Sequence, residues 1–268
     1  MGNLVVPKVY KIAETRLNDS EVLAWLKDID GEECLAHVTG EDKEKLIELA
    51  GRRCYKSYRK GLNPNVSKVR TNSDEYHENV LKSKHGSILE HCSVSFALEN
   101  ISRVCCMELI RHRAGAAISQ ESLRFVRLTD INMYFPKIFS EFGKYKENVA
   151  KLMINNAIKY FEKLQIDFMD LFKEEMDGNF ETKKKLTSAF RRFSPEGLAT
   201  GIVVTYNFRE LRHIITVRTS RHAEEEIRMV CGQMAEILIK DYPKDFNDFE
   251  KVDTLDGLYE YVPKYEKV

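Results

Sequence analysis

Apolar side chains recur along much of this chain at the spacing of an amphipathic helix. The longest such stripe lies within Glu147–Met176, and its apolar positions are three or four residues apart: Ala157, Phe161, Leu164, Phe168 and Leu171. A stripe of this kind faces a core along one side of a helix, so it predicts a long helix over the whole segment. Elsewhere apolar and polar residues alternate, as in His91–Leu98, and this pattern predicts a strand.

Shorter patterns and end signals predict the remaining elements. Ser73 is predicted to cap a helix that the His85-Gly86 pair ends. The predicted helices are Gly40–Leu49, Ser73–Lys84, Ile101–His112, Thr182–Phe193, Asn207–Thr219 and His222–Lys240. The other predictions are strands within Leu4–Leu17 and over Gly201–Tyr206, a loop over Gly61–Ser67, and irregular structure from Asp241 onward. Strands mixed with long helices, without regular alternation of the two, indicate the α+β class.

The composition is that of a globular protein with a full core. The chain has 268 residues, of which 43% are hydrophobic and 31% are charged. Lysine and arginine together number 42, and so do aspartate and glutamate, which gives a net charge of zero. A protein that binds nucleic acid over its whole surface is usually basic. We therefore expect no nucleic-acid partner, and any cluster of arginines is a local site.

Cysteine usage and hydropathy indicate a cytoplasmic protein. None of the six cysteines forms a C-x-x-C pair: Cys34, Cys54, Cys92, Cys105, Cys106 and Cys231. Free and mostly buried thiols in a reducing compartment fit this pattern. The first residues lack the charged and apolar regions of a signal peptide, and no apolar run approaches the roughly 20 residues that span a membrane. We expect no membrane contact.

The richest chemistry lies between Arg111 and Arg124. The window Ile101–Arg127 contains five arginines, two glutamates and no lysine, although lysine is common elsewhere. That preference favours planar, bidentate recognition of an anion, and a phosphorylated small molecule is the first hypothesis. Cations that offset a helix dipole would explain one or two of the arginines. They do not explain the polar residues in the small-residue loop that follows: Ser119, Gln120, Ser122 and Arg124.

Two further stretches could carry chemistry. His85–His91 offers two imidazoles, a hydroxyl and a carboxylate, and it can be interpreted as a metal site or as a polar turn with satisfied histidines. If Asn207–His222 is helical, Arg218 and His222 share a face with the apolar Leu211 and Ile215. A buried arginine there needs an anionic or carbonyl partner, unless its side chain reaches over the core to solvent. The chain has no P-loop, no G-x-G-x-x-G and no nucleophile elbow.

Together the three stretches resemble the flavin-dependent thymidylate synthases (the ThyX family). That family combines a His-x-Ser/Thr-x-x-Glu-His segment, an Arg-His-Arg…Ser-x-Arg motif and an Asn-x-Arg…Arg-x-x-x-His helix, and all three occur here in that order between roughly Gly51 and Phe246. The spacer Ala114–Glu121 is one residue longer than the family pattern. The extra residue falls within Ala114–Ile118 and suggests a bulge near the flavin. Cys54 stands where the family often has serine.

The resemblance implies a fold, an assembly and a reaction. The fold would be a single α+β domain over residues 1–268, with an antiparallel sheet packed against long helices. The assembly would be a homotetramer with active sites at subunit interfaces. The reaction would convert dUMP to dTMP, with 5,10-methylenetetrahydrofolate as carbon donor and FAD, reduced by NADPH, as the source of hydride. No metal is implied, and no cysteine attacks the pyrimidine.

The resemblance also assigns residues to roles. The positions that match the flavin site are His85, Ser87, Glu90, Arg111, His112, Arg113, Ser119, Asn207, Arg209 and His222. Those that match the dUMP site are Glu108, Gln120, Ser122, Leu123, Arg124, Arg191 and Arg218. Arg218 and Ser122 are the predicted catalytic residues. Arg124 and Arg191 could clamp the phosphate of dUMP, and Arg218 could polarise a uracil carbonyl and stabilise the developing anion.

Two other functions stay open at this point. A related flavin-dependent enzyme could act on the same nucleotide with a different outcome, for example hydroxymethylation, and the longer spacer is the feature that keeps this alternative open. A non-catalytic module could use the arginine cluster to bind phosphate or RNA, but the zero net charge argues against it.

Overall fold

The computed structural model describes residues 3–123 and 131–268. The strands are β1 Leu4–Val5, β2 Lys8–Glu14, β3 Ser93–Ser102, β4 Ala116–Gln120, β5 Met133–Tyr134, β6 Ala199–Asn207, β7 Phe249–Asp253 and β8 Tyr259–Pro263. The helices are α1 Asp19–Asp28, α2 Asp42–Tyr55, α3 Ser73–Lys82, α4 Arg103–Leu109, α5 Ile138–Glu141, α6 Lys144–Leu171, α7 Lys173–Met176, α8 Phe180–Phe190, α9 Phe208–Arg218, α10 Glu225–Asp241 and α11 Pro243–Phe246. Three 3₁₀ turns cover Glu32–Ala36, Gly86–His91 and Arg191–Phe193.

A four-stranded antiparallel sheet in the order β2-β3-β6-β4 forms the centre of the fold. Alternate residues of β3 and β6 are buried, and they form one core with side chains of α9 and α10. The opposite face is more open, and a row of cross-strand neighbours runs across it: Tyr10, Ala97, Val203 and Ser119. The mixed architecture with an antiparallel sheet, predicted from the sequence, is confirmed.

Several predicted helix boundaries shift. The helix predicted over Gly40–Leu49 begins after a capping box of Glu41 and Glu44 and continues to Tyr55. The residue that caps α3 is Asn72 rather than Ser73, because the Asn72 side chain accepts a hydrogen bond from the backbone N–H of Glu75. The hydroxyl of Ser73 donates to a buried carboxylate of α2 instead.

Larger differences lie where side-chain periodicity is ambiguous. The long helix predicted over Glu147–Met176 divides at Phe172 into α6 and α7. Helix α1 was not predicted, although Leu26 is fully buried. The prediction of irregular structure from Asp241 onward is wrong, because the chain there forms α11 and the β7–β8 hairpin. The side chains of β8 alternate in burial, which places Tyr261 in the core. This packing makes the tail a regular hairpin rather than irregular structure.

The spacer after the Arg-His-Arg motif is a strand rather than a loop. Strand β4 pairs with β6 in unbroken register, so the bulge expected within Ala114–Ile118 is absent from β4. The chain turns at Gly115 instead, where φ is +56°. A Cβ atom at Gly115 would lie 1.9 Å from Nδ2 of Asn207, so both the backbone conformation and the space require glycine.

The six cysteines are free thiols, and all except Cys54 are buried. This confirms the prediction that the thiols are free and mostly buried. Burial raises the pKa of Cys34 to about 11 and that of Cys106 to about 12, so these thiols stay protonated and unreactive near neutral pH. In the described part of the chain, we find no helix with the length and apolar character needed to cross a membrane.

Glu226 at the start of α10 is expected to limit stability at high pH. Its carboxyl is 1% exposed and accepts hydrogen bonds from the backbone N–H and the hydroxyl of Ser102, while burial raises its pKa to about 7. Between the usual value of 4.5 and this raised value the folded protein binds more protons than the unfolded chain, so stability falls as pH rises. Glu226→Gln should therefore raise the free energy of unfolding at pH 8 by ~1–2 kcal/mol.

Urea denaturation at pH 4.5 and pH 8 measures this effect. Glu236→Gln is the matched control on the same helix, because Glu236 is more than half exposed and pairs with Lys251 at the surface. An equal gain from both variants, or a gain from Glu226→Gln at pH 4.5 as large as at pH 8, would contradict the prediction.

Candidate active site

Arg218 lies at the C-terminal end of α9 and is held by residues of the segment that contains the Arg-His-Arg motif. Its Nε donates to Nε2 of His112 at 2.8 Å, and its Nη1 donates to Oε2 of Glu108 at 3.0 Å. Its Nη2 donates to the backbone carbonyl of Glu108 at 3.3 Å. A guanidinium has five N–H groups, so these three bonds leave two for a ligand. The guanidinium plane is thus fixed before any ligand binds.

His112 connects Arg218 to a second carboxyl group. Because arginine can only donate, Nε2 of His112 must accept, and the proton of the neutral ring lies on Nδ1. That Nδ1 donates to Oε1 of Glu210 at 3.1 Å. Burial and the positive charge of Arg218 lower the pKa of His112 to about 4, which keeps the ring neutral. Both ring nitrogens therefore have protein partners, and the predicted flavin contact of His112 stays a prediction.

A positively charged cleft of about 590 Å³ opens beside Arg218. Arg111, Arg113 and Arg218 line it, whereas Glu210 is its one lining carboxyl group, and burial raises the pKa of Glu210. Within the described residues, neither Arg111 nor Arg113 has a carboxylate oxygen within 4.0 Å. Such a cleft can hold an anion by charge-assisted hydrogen bonds.

A second cleft, of about 670 Å³, continues from the first along α9. The two clefts share four lining residues: Ala114, Glu210, His213 and Val217. In the second cleft Nη1 of Arg209 donates to Oε1 of Glu90 at 2.6 Å, and Nε of Arg209 donates to the backbone carbonyl of Val268 at 3.2 Å. The Arg209–Glu90 ion pair joins the His85–His91 segment to the start of α9.

The beginning of α9 is set by Asn207, whose side chain accepts from the backbone N–H of Glu210 at 2.8 Å. From there, Arg209 and Arg218 lie nine residues apart on one helix, about 14 Å along its axis at the usual rise. One rigid element thus presents a cation to each cleft. The three motifs singled out in the sequence meet here, although Glu90 and Glu108 lie 119 and 110 residues from their arginine partners.

Other predicted site residues lie apart from this assembly. Leu123 packs in a second core cluster with Phe190, the neighbour of Arg191 in the chain, whereas the hydrogen bonds of Arg218 go to His112 and Glu108. Ser119 and Gln120 are neighbours on β4 and therefore face opposite sides of the sheet. Nε2 of Gln120 is buried and has no hydrogen-bond partner among the described residues.

The other predicted site residues differ in their burial and in their position relative to α9. The helix predicted over Asn207–Thr219 ends at Arg218, so the face that His222 was predicted to share with Arg218 does not extend that far. His222 is exposed, as is Ser87, while His85 and Ser122 are half-buried. Arg124 lies outside the described residues. No group of three or more His, Cys, Asp or Glu residues in the described part of the chain is arranged to hold a metal ion.

Sequence reasoning missed Glu210, His213 and the segment Tyr265–Val268, all of which line the clefts. Glu210 stands three residues after the cap residue Asn207, a position where glutamate is typical of a capping box, so its spacing gives no signal of the contact with His112. The segment Tyr265–Val268 carries no motif, so nothing in the sequence connects it to the site.

His112→Ala is expected to lower kcat/KM for the nucleotide by about 10- to 100-fold, because it frees the Arg218 guanidinium to leave its position. Cofactor content should stay that of the unaltered protein, since both ring nitrogens are bound to protein. His112→Gln should recover part of the activity, as its carbonyl can accept from Arg218. Steady-state kinetics and the absorbance of purified protein test this. If the variant lost cofactor but kept its turnover per bound cofactor, the role of His112 in positioning Arg218 would be contradicted.

The antiparallel central sheet and the arginine-rich double cleft define a protein that can bind a large anionic ligand. Residues 34–244 match the sequence profile of the family described as "Thymidylate synthase complementing protein". The chain is 33% identical over 257 residues to the flavin-dependent thymidylate synthase of Mycobacteroides abscessus, covering 96% of this chain and 95% of that protein. It is also 33% identical over 253 residues to that of Mycobacterium marinum, covering 93% and 92%. The chain belongs to the flavin-dependent thymidylate synthase family, as the three motifs predicted.

Solved structures share the fold. The UMP/dUMP methylase PolB from Streptomyces cacaoi, bound with 5-Br dUMP, aligns with a TM-score of 0.59 and 18% identity over 91% of this chain and 95% of that one. Thymidylate synthase X from Helicobacter pylori, with FAD and dUMP, aligns with a TM-score of 0.54 and 18% identity over 90% and 98%. At these identities the likeness is one of fold, and the expected ThyX-like fold is confirmed.

Proposed function

We propose that the protein converts dUMP to dTMP, with 5,10-methylenetetrahydrofolate as carbon donor and FAD, reduced by NADPH, as the source of hydride. The observation that carries the proposal is the fixed guanidinium of Arg218, which keeps two N–H groups without a partner among the described residues, beside a cleft lined by Arg111 and Arg113. Family membership at 33% identity over nearly the whole chain supports it.

The residues present fit a flavin dinucleotide. FAD carries two phosphates and extended aromatic rings. At one end the contiguous clefts offer Arg111 and Arg113, which have no carboxylate partner among the described residues, and at the other end they offer Arg209, which pairs with Glu90, and the neutral amide of Asn207. When bound, FAD supplies the hydride chemistry of the reaction. We propose that Arg209 exchanges its partially exposed ion pair with Glu90 for contacts with the cofactor, since such pairs contribute little stability.

We propose that Arg218 acts on the pyrimidine. Its two remaining N–H groups can donate to a uracil carbonyl and stabilise the negative charge that develops when C5 becomes nucleophilic. Glu108 and His112 hold the guanidinium in place, so little reorganisation is needed during the reaction. Arg191 and Arg124 are proposed to clamp the phosphate of dUMP, and Ser122, the second predicted catalytic residue, to lie between them and the base.

A homotetramer with shared active sites accounts for the separation of the proposed residues. Ser119 lies on the open face of the sheet, and Leu123 packs in a core cluster with Phe190, the neighbour of Arg191, so we propose that a second subunit brings these groups to the clefts. Apolar side chains exposed on the open face of the sheet and on α6 support assembly, since exposed apolar surface often marks an interface. The most exposed of them are Tyr10, Ile12 and Val203 on the sheet and Tyr145, Met153, Tyr160 and Leu171 on α6.

One observation supports the hydroxymethylating alternative. Ala114 and Gly115, in the spacer that is one residue longer than the family pattern, both line the second cleft and are exposed. Their small side chains leave space beside the proposed cofactor, where a hydroxymethyl product could form. Five buried free thiols support a reducing, cytoplasmic setting for either reaction.

The test uses the purified full-length chain. Flavin absorbance, NADPH oxidation with and without dUMP, and the mass of the product are measured, and light scattering gives the number of subunits. We expect bound FAD, oxidation stimulated by dUMP, and dTMP as the product. A protein that neither takes up FAD nor oxidises NADPH in the presence of dUMP would overturn the proposal, and a product heavier than dTMP by one oxygen atom would favour the hydroxymethylating alternative.

A further inference from the structure

A third cleft, of about 360 Å³, lies beyond His85 and outside the two clefts already described. It is bounded by the C-terminal end of α2, by the loop that follows it and by α3. Its lining includes Lys68, Arg70 and His85, together with hydroxyl and amide side chains of serine, tyrosine and asparagine, and it contains no aspartate or glutamate.

The absence of carboxylates from this lining is distinctive in this molecule. Aspartate and glutamate together equal lysine and arginine in the chain as a whole. The neighbouring cleft between α3 and α11 has four carboxylates in its lining, Asp74, Glu75, Glu78 and Asp248, against two lysines. A lining of cations and neutral hydrogen-bond donors selects anions.

The loop that forms this cleft is held in place by a buried arginine. Arg52 is 1% exposed, and its Nη1 donates to the carbonyl of Ser57 at 2.7 Å while its Nη2 donates to the carbonyl of Arg70 at 2.8 Å. These two carbonyls lie at opposite ends of the loop. Glu48 neutralises Arg52 through hydrogen bonds of 2.5 and 3.0 Å, so the anchor adds no free charge to the cleft.

The cations that face the cleft keep capacity for a ligand. Nη2 of Arg70 donates to Oδ1 of Asn79 at 2.7 Å, which leaves its other N–H groups without a partner among the described residues. Lys68 is exposed and has no carboxylate within 4.0 Å in the described part of the chain. Tyr55 meets the ring of His85 edge-on, with 5.9 Å between centroids, so an aromatic surface lies next to the cationic one.

We propose that this cleft binds the phosphate groups of a dinucleotide, with Lys68 and Arg70 as its cationic contacts and Tyr55 against a ring of the ligand. The inference deepens the proposed function, because that reaction requires two such molecules, FAD and NADPH. Both molecules carry phosphate groups, and phosphate is bound well by guanidinium and ammonium groups such as those of Arg70 and Lys68.

The test compares Lys68→Glu with the matched control Lys60→Glu. Lys60 belongs to the same loop and is exposed, but its side chain does not line the cleft, so the two variants change the net charge equally. For each protein we measure the dissociation constant of FAD, the KM for NADPH and for NADH, and the binding of inorganic pyrophosphate by calorimetry. Circular dichroism and thermal unfolding confirm folding, and Lys68→Arg tests rescue.

We expect Lys68→Glu to weaken at least one dinucleotide by about tenfold or more, while Lys60→Glu changes it less than about twofold. A weaker FAD affinity with unchanged KM values assigns the cleft to the diphosphate of the flavin cofactor. A raised KM for NADPH but not for NADH assigns it to the 2′-phosphate of the reductant. Equal effects of the two variants, or no effect of Lys68→Glu on any of these ligands, would overturn the inference.

Failure of the proposed function is distinguishable from failure of this inference. If the unaltered protein binds no FAD and oxidises no NADPH, the proposed function fails, and pyrophosphate then decides the inference alone. Pyrophosphate binding that is lost in Lys68→Glu but kept in Lys60→Glu supports the cleft as a phosphate site. Pyrophosphate binding that is absent, or the same in both variants, overturns it.

Discussion

Arg218→Ala is expected to lower kcat/KM for dUMP by about 100- to 1,000-fold and to weaken dUMP binding, while the fold is retained. In the proposed mechanism Arg218 donates to the pyrimidine, so the alanine removes two N–H groups that have no partner among the described residues from the position where negative charge would develop; loss of one such donor typically has an effect of this size. The fold should survive, because the carboxylate of Glu108 is partially exposed and water can replace the lost contacts. Steady-state kinetics, dUMP titration and circular dichroism measure the three quantities.

Arg221→Ala is the matched control for this prediction. Arg221 follows the same helix closely, but its side chain is 57% exposed and pairs with Glu260 at the surface. Its replacement should change kcat/KM by less than about twofold, since exposed pairs of this kind contribute little. Unchanged turnover in Arg218→Ala, or an equal loss in both variants, would refute the assignment of Arg218 to the pyrimidine.

Arg52→Ala is expected to reduce the free energy of unfolding by about 3–5 kcal/mol, because it leaves the carboxylate of Glu48 buried without its partner. Both side chains of this pair are at most 1% exposed, so water cannot replace the lost contact. The carbonyls of Ser57 and Arg70 lose their donors at the same time. Urea denaturation of the full chain, followed by circular dichroism, measures the change.

Arg53→Ala is the control, since Arg53 is adjacent in sequence and exposed. It should change the free energy of unfolding by at most about 0.5 kcal/mol. The double variant Glu48→Leu/Arg52→Met should be more stable than Arg52→Ala alone, because it removes the unpaired charge as well as its partner. If Arg52→Ala and Arg53→Ala were equally stable, the buried pair would have no structural role.

Elements with strong local signals were predictable from the sequence. Helix α9 begins with the cap residue Asn207 and carries a clear apolar face, and α6 has a long stripe of apolar residues. In both cases the information lies within a few turns of the chain. The β7–β8 hairpin was not predictable in this way, because burial of Tyr261 against α10 is what makes the tail regular.

The residues of the candidate site also divide into those that the sequence identifies and those that only the packing reveals. The motif residues Glu90, Arg209, Glu108 and Arg218 could be named from their spacing and from the family pattern, and the structure brings them into pairs. The role of Glu210 could not be predicted, since it depends on which ring nitrogen of a histidine 98 residues away carries the proton. The position of Arg191 beside the second core cluster also has no trace in the sequence, because it follows from the burial of its neighbour Phe190 in that cluster.

The position of β4 at the edge of the sheet has a consequence for how this enzyme family can diversify. An extra residue in a central strand such as β6 would move every following side chain to the opposite face and disrupt the core. Among the described strands, β6 alone constrains the register of β4, and the chain turns at Gly115, inside the longer spacer, before that pairing begins. The wall of the cleft can therefore change its length at small structural cost, and a new chemical specificity can arise there without redesign of the scaffold.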